Sequence, residues 1–227
     1  MKKILSLIAI AISLLSSQAY AKTEGNYVGI NLLKSTAKIK NTSTLAIDNE
    51  GGNNIFYNHN NKNSKYGFGL NYKYAFNFNS FFVAPEISYE FLNNEISSGF
   101  FSSNSRYFSQ KVKLKNAISL KSNFGYDFND QFAFYIPIGI FKFGYDIETA
   151  DVSVSSRRFT TKSNNESVIF AGFGLSYEPL KNWVLNLEYN KYQDFKLTSL
   201  ERTTLNNGKI NAKTNLDAIK FGLSYRF

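Results

Sequence analysis

Apolar and polar side chains alternate with a period of two along most of this chain, and the last eleven residues, 217–227, do so without a break. There Ile219, Phe221, Leu223, Tyr225 and Phe227 share one parity, and Ala218, Lys220, Gly222, Ser224 and Arg226 share the other. Successive side chains of a strand point to opposite faces, so the pattern predicts a strand with one apolar face and one small or polar face. The same reading predicts seven further strands, at 27–34, 66–76, 81–91, 111–126, 132–145, 168–178 and 183–192. Beyond the N-terminal segment no run of about 18 apolar residues occurs, so no helix is expected to span a bilayer.

The connections sort into two lengths. Those at 77–80, 127–131 and 179–182 are short, polar and turn-like, whereas 41–63, 93–110, 146–167 and 198–215 are long and rich in Asn, Ser, Thr and Lys. Strict alternation of long loops and short turns is the connectivity of an antiparallel up-and-down barrel. Hydrocarbon offers no hydrogen-bond partner, so spanning strands must pair all the way round. The expected fold is therefore all-β, an eight-stranded antiparallel up-and-down transmembrane β-barrel with its apolar faces outward. A soluble barrel would reverse the faces. The bulky aromatics share one parity while glycines and charges share the other, and Tyr and Trp sit near strand ends, as a membrane girdle requires.

The first 21 residues change the picture of where the strands go. Lys2 and Lys3 precede the apolar run 4–15, which ends in Ser16, Ser17, Gln18 and the small-x-small site Ala19, Tyr20, Ala21. This is the layout of a secretory signal peptide cleaved after Ala21, leaving a barrel domain over 22–227. Its removal lowers the formal charge from +9 to +7, spread without a run of like charges, which argues against a nucleic-acid partner. With no cysteine the chain has no disulfide and no thiol chemistry.

Three sets of residues are candidates for function. Lys73, Glu86, Glu90, Lys113, Lys115, Lys121, Glu178, Glu188, Lys220 and Arg226 fall on the interior parity. An eight-stranded interior is about filled by side chains, and buried charges must pair, so these predict a salt-bridged plug; the alternative is a narrow ion path. The long loops carry Phe56, Tyr57, Phe100, Phe101, Arg106, Tyr107, Phe108, Arg157 and Arg158. Aromatics and arginine are enriched at protein-binding hot spots, but the same residues would also suit strands extended beyond the membrane. His59, the only histidine, lies in a stretch of Asn, Lys and Ser with no acid spaced to orient it, so no catalytic site is expected; no cofactor or metal motif is present either.

Asn26-Tyr27-Val28-Gly29, Gly125-Tyr126-Asp127-Phe128, Gly172-Phe173-Gly174-Leu175-Ser176-Tyr177 and the terminal Ser224-Tyr225-Arg226-Phe227 resemble the small eight-stranded bacterial outer-membrane β-barrel proteins, OmpA- and OmpX-like surface antigens and adhesins. The resemblance covers the mature chain. It implies a monomer in the outer membrane of a Gram-negative bacterium with its loops extracellular. It implies export by the Sec route, with Tyr225 and Phe227 read as the signal for the barrel-assembly machinery. It also implies an outer-membrane lipid environment and, through the loops, an extracellular host protein as partner. A narrow pore and an outer-membrane enzyme are the alternatives within the same group.

Overall fold

A computed structural model describes residues 23–45, 55–102, 106–152, 157–203 and 206–227; for 39–45, 55–60, 98–102, 106–110, 149, 151–152, 157–158, 196–203 and 206–212 it describes the backbone alone. The expected leader, with Ala19 and Ala21, lies outside the described residues.

Every regular element described is a strand: β1 Gly25–Leu45, β2 Ile55–Phe78, β3 Phe81–Phe91, β4 Glu95–Ser102, β5 Arg106–Asp127, β6 Phe132–Val152, β7 Arg157–Leu180, β8 Trp183–Tyr192, β9 Phe195–Thr203 and β10 Asn206–Arg226. β3 and β4 are one wall strand interrupted at 92–94, and β8 and β9 are another interrupted at 193–194, so the ten elements make eight wall strands. All pairings are antiparallel, and β10 closes on β1 from Tyr27↔Arg226 to Thr44↔Lys209. Closure leaves no edge within the wall that must lie in hydrocarbon. Two of the short turns tighten to Asn79–Ser80 and Lys181–Asn182, each using an asparagine in the left-handed region, at φ of 61° and 71°. In the third, the Asn129 side chain accepts from the Gln131 and Phe132 amides at 2.9 and 2.8 Å.

Over the lower part of the barrel the apolar parity faces out. Val28, Ile30 and Leu32 of β1, Phe68, Leu70 and Tyr72 of β2, Ile136, Ile138 and Ile140 of β6, and Ile219 and Phe221 of β10 are all exposed. Stacked or edge-on rings, Phe132 on Tyr177 at 4.6 Å and Trp183 on Tyr225 at 5.2 Å, ring the short-turn end as an interfacial girdle.

The strands do not stop where that band stops. Most of what reads as four long loops is strand: β1 and β2 pair out to Leu45↔Ile55, β5 and β6 to Tyr107↔Val152, and β6 and β7 to Val152↔Arg157. In these extensions the apolar face is turned inward. Leu33, Leu92, Ile96, Phe141, Phe143, Tyr145, Ile147, Val168, Phe170, Tyr192, Phe195 and Leu216 are buried, while Lys34, Lys142 and Lys213 face out. The physical reason is the solvent: hydrocarbon outside favours apolar side chains there, and water outside favours them in the interior.

One strand changes face by a device that strict alternation conceals. Leu114 pairs with Tyr145 and Ala117 with Phe143, so β5 carries one extra residue at 115–116. Lys115 and Asn116 both point out, and everything beyond the bulge is inverted. Lys113 and Lys115, expected in the lumen, therefore lie on the outer surface, where they pair with Glu148 at 2.6 Å and Asp146 at 2.8 Å. Val112 and Leu114, expected outside, fill the interior.

The extended barrel is also slit along two seams. β7 and β8 pair up to Phe170↔Tyr192, and beyond that, in the described residues, β7 pairs with β6 alone and β9 with β10 alone. β2 and β3 pair up to Phe68↔Phe91; beyond it the Asn61 and Asn63 side chains donate across the gap to the Ser97 and Glu95 carbonyls. The top is thus two four-stranded walls, β9-β10-β1-β2 and β4-β5-β6-β7.

Candidate functional site

The lumen is filled in three layers. At the short-turn end Tyr27, Phe82, Ala84, Tyr135 and Val184 form an apolar layer. Two of its three large rings lie across glycines directly opposite in the sheet, Phe82 over Gly125 and Tyr135 over Gly174. A Cβ added at Gly125 would stand 2.1 Å from the Phe82 ring and one at Gly174 2.2 Å from that of Tyr135, so both glycines are needed for the rings to reach across.

The middle layer is ionic, with three buried lysines, Lys73, Lys121 and Lys220, and three buried glutamates, Glu86, Glu90 and Glu188. Lys121 Nζ donates to Glu188 Oε2 at 2.5 Å and lies 3.3 Å from Glu86 Oε1. Lys220 pairs with Glu90, and Lys73 stands 4.5 Å above the centre of the Tyr27 ring. Neutral donors add to the layer: Asn123 Nδ2 gives to Glu86 Oε2 at 2.9 Å, Asn190 Nδ2 to Glu188 Oε1 at 2.6 Å, and Ser88 Oγ to Glu90 Oε1, the oxygen that Lys220 holds, at 3.2 Å, while Glu90 Oε2 is buried with no hydrogen-bond partner. Equal numbers of each sign meet the cost of burying ions, which is several kcal/mol for any one left alone. The free space beside them is about 20 Å³, room for a single water.

The third layer is the aromatic and aliphatic cluster inside the extension. Phe141 packs on Tyr192 at 4.7 Å, Phe170 on Tyr192 at 5.2 Å and Phe143 on Phe195 at 5.0 Å. Sequence parity places the ionic layer, but this apolar stopper above it goes unread. Its signal is the change of parity within one strand: Ile136, Ile138 and Ile140 are even, whereas Phe141, Phe143, Tyr145 and Ile147 are odd.

Of the ten interior charges expected, Lys113 and Lys115 are outside the barrel and Glu178 and Arg226 pair with each other at the short-turn mouth, 2.7 Å apart. The rest form the ionic layer. Tyr225 and Phe227 face outward at the girdle.

The candidate binding residues occupy strand positions whose side chains lie outside the described residues, but their backbone register is informative. Phe101, Tyr107, Val152 and Arg157 form one rung across β4, β5, β6 and β7, and Phe100, Phe108, Asp151 and Arg158 form the next. Arg106 stands opposite Ser102, one position further out. Phe56 and Tyr57 belong to the other wall, opposite Thr44 and Ser43, and His59 stands opposite Asn41. Among the described residues no three metal-ligating side chains converge.

A closed antiparallel barrel with a lipid-facing apolar band, an aromatic girdle and a lumen filled around an ionic layer defines an integral β-barrel of the bacterial outer membrane, with its short turns in the periplasm and its extended end outside the cell. The chain belongs to the family described as the outer membrane protein beta-barrel domain, whose sequence profile matches residues 7–227. A search of curated proteins found no match. Among solved structures it is similar to OprG of Pseudomonas aeruginosa, at 13% identity with a TM-score of 0.54 over 92% of this chain and 99% of that one. It is similar to the outer membrane protease OmpT of Escherichia coli, at 12% identity with a TM-score of 0.52 over 94% and 100%. Ail, the attachment invasion locus protein of Yersinia pestis, matches at 18% identity with a TM-score of 0.43 over 90% and 100%. At these identities the first two show a shared fold, and proteins of that fold differ in what they do.

Proposed function

We propose that this protein is a surface-displayed binding protein of the adhesin type, a sealed barrel that raises a protein-recognition rim above the membrane. The carrying observation is the gathering of Phe100, Phe101, Tyr107, Phe108, Arg157 and Arg158, from two separate stretches of sequence, onto two neighbouring rungs at the tip of one wall. Aromatic and arginine side chains are the residues that dominate binding energy at protein interfaces, and the paired sheet fixes the backbone positions that carry them. Three filled lumen layers support a closed barrel over a pore. Tyr107→Ala with Phe108→Ala, and separately Arg157→Ala with Arg158→Ala, are expected to weaken capture of an extracellular protein found by screening the refolded barrel. A loss of roughly tenfold or more for each pair is the hot-spot expectation. Binding unchanged in both would remove the β4–β7 rim from consideration.

A further inference from the structure

On the lipid-facing wall, just above the short-turn end, the outward side chains of β6, β7, β8 and β10 leave a recess of about 550 Å³. Register explains its shape. Phe132, Tyr177 and Leu185 stand in one cross-strand row, and Leu175, Leu187 and Phe221 stand in the next outward row. Between them runs the row Ala133, Ser176 and Asn186, whose side chains turn into the lumen, so the floor between the two outward rows is backbone. Behind that floor Ser176 Oγ donates to Asn186 Oδ1 at 2.9 Å and Asn186 Nδ2 to Ser224 Oγ at 3.3 Å, so these polar groups answer one another and not the recess. The lower rim is firm: Phe132 stacks on Tyr177, and beyond Tyr177 a register shift of β7 against β8 bends the strand.

Position decides what fills it. The recess opens from the girdle into the apolar band, where Leu175, Leu187 and Phe221 are half exposed, so its surroundings are hydrocarbon and neither water nor lumen. Its lining is aromatic and aliphatic with few polar groups, and its size falls within the roughly 300–1,000 Å³ of small-ligand sites. Three strand spacings, about 14 Å in all, separate β6 from β10, and strands tilted roughly 35–45° set a trough across them oblique to the membrane plane. A slender chain fits that shape. At the turn end the recess is lined by Phe128 and Asn129. Asn129 Oδ1 already accepts from the Gln131 and Phe132 amides, which leaves its Nδ2 as a donor at headgroup level. Left empty, the recess would forfeit dispersion contacts along its lining.

We propose that this recess is a binding site for one acyl chain of a phospholipid in the periplasmic leaflet, with the ester end at Asn129 and the methyl end toward Phe221. It continues the lipid interface that the apolar band defines. It is independent of the protein-binding rim, which lies at the opposite end of the barrel.

The test is native mass spectrometry of the protein refolded with palmitoyl-oleoyl phosphatidylethanolamine and washed in detergent. One phospholipid is expected to stay bound. Leu175→Phe with Leu187→Phe fills the trough from its upper row and is expected to lower the lipid-bound fraction roughly tenfold, the effect of overpacking a fitted site. Ile138→Phe, the same kind of change on the lipid-facing surface away from the recess, is expected to leave that fraction unchanged. Asn129→Asp keeps an acceptor for the two amides but replaces the donor by a negative oxygen, and is expected to lower retention too. Trp183, the only tryptophan, lies two residues from Leu185 on the same outward face and reports the location. Its emission is expected to be quenched by a retained phospholipid with a brominated chain and to recover in the double variant. No retained lipid, unquenched Trp183, equal retention in the double variant, or an equal loss in Ile138→Phe would each overturn the proposal. So would a pair of barrels in place of a barrel with one lipid, because the recess would then hold side chains of a second copy. Unchanged retention in Asn129→Asp would overturn the headgroup placement.

Discussion

Lys121 answers two glutamates at once, which makes it the residue on which the ionic layer turns. Lys121→Met leaves Glu86 and Glu188 buried without that cation. The cost of breaking a buried pair is about 3–5 kcal/mol, read as a lower urea midpoint for the loss of the compact band on gels of unheated protein. Replacing Lys121, Glu86 and Glu188 together by apolar residues is expected to recover most of it, because the ions themselves contribute little net stability. Gly174→Ala places a methyl inside the Tyr135 ring and is expected to cost about 1–3 kcal/mol in the same assay. At this scale much was legible in the sequence. The parity of Lys73, Glu86, Glu90, Lys121, Glu188 and Lys220 is enough to place them in the lumen. Lys113 and Lys115 were misplaced because parity is counted from a neighbour, and one inserted residue inverts the count. The clue was Asn116, a polar side chain on the apolar parity of its strand.

Among the elements, β5 owes the parity of its upper half to that insertion. Deleting Asn116 would leave Lys115 as the single outward residue between Leu114 and Ala117, so the bulge disappears while Lys113 and Lys115 stay outside and Val112 and Leu114 stay inside. The variant is expected to reach the compact form on refolding, as is Asn116→Ser. On β6 the two faces differ sharply in weight. Phe143→Ala removes a buried ring and should cost about 3–5 kcal/mol, while the exposed pair of Asp146 with Lys115 contributes at most about 1 kcal/mol. The exterior pairs do confer a pH dependence. Hydrogen bonds from Lys111 to Glu95, Lys115 to Asp146 and Lys213 to Asp194 hold these carboxyls below their ordinary values. A depressed folded value means the contribution is complete above the unfolded pKa, near 4, and is lost as pH falls through the folded one. Resistance of the extracellular walls to limited proteolysis is therefore expected to be level from pH 8 to 5 and to decline below about 4. The spanning strands were readable because lipid on one side and packing on the other impose a single alternation. The extensions were not, because stretches such as 159–167 are exposed or half-buried and carry polar side chains on both parities.

For the whole molecule, closure and the lumen layers lead to one electrical expectation. Refolded protein in planar bilayers should show little or no steady conductance, and large stable openings would sink the sealed-barrel reading. Lys121→Met, if it folds, should not open a path either, since the apolar layers on each side of the ionic one remain. The inversion of the apolar face along the strands has a different kind of consequence. It acts as a waterline painted on a hull. Sinking deeper by two residues would carry Lys34 and Lys142 into hydrocarbon, at up to about 2–4 kcal/mol for each charge at full depth, and rising would strip lipid from the isoleucines of β6. The barrel has one draught. About ten residues of extension, rising roughly 3.3 Å each along tilted strands, then set its rim at roughly 25 Å above the lipid, so whatever the rim holds is kept at a fixed standoff from the cell.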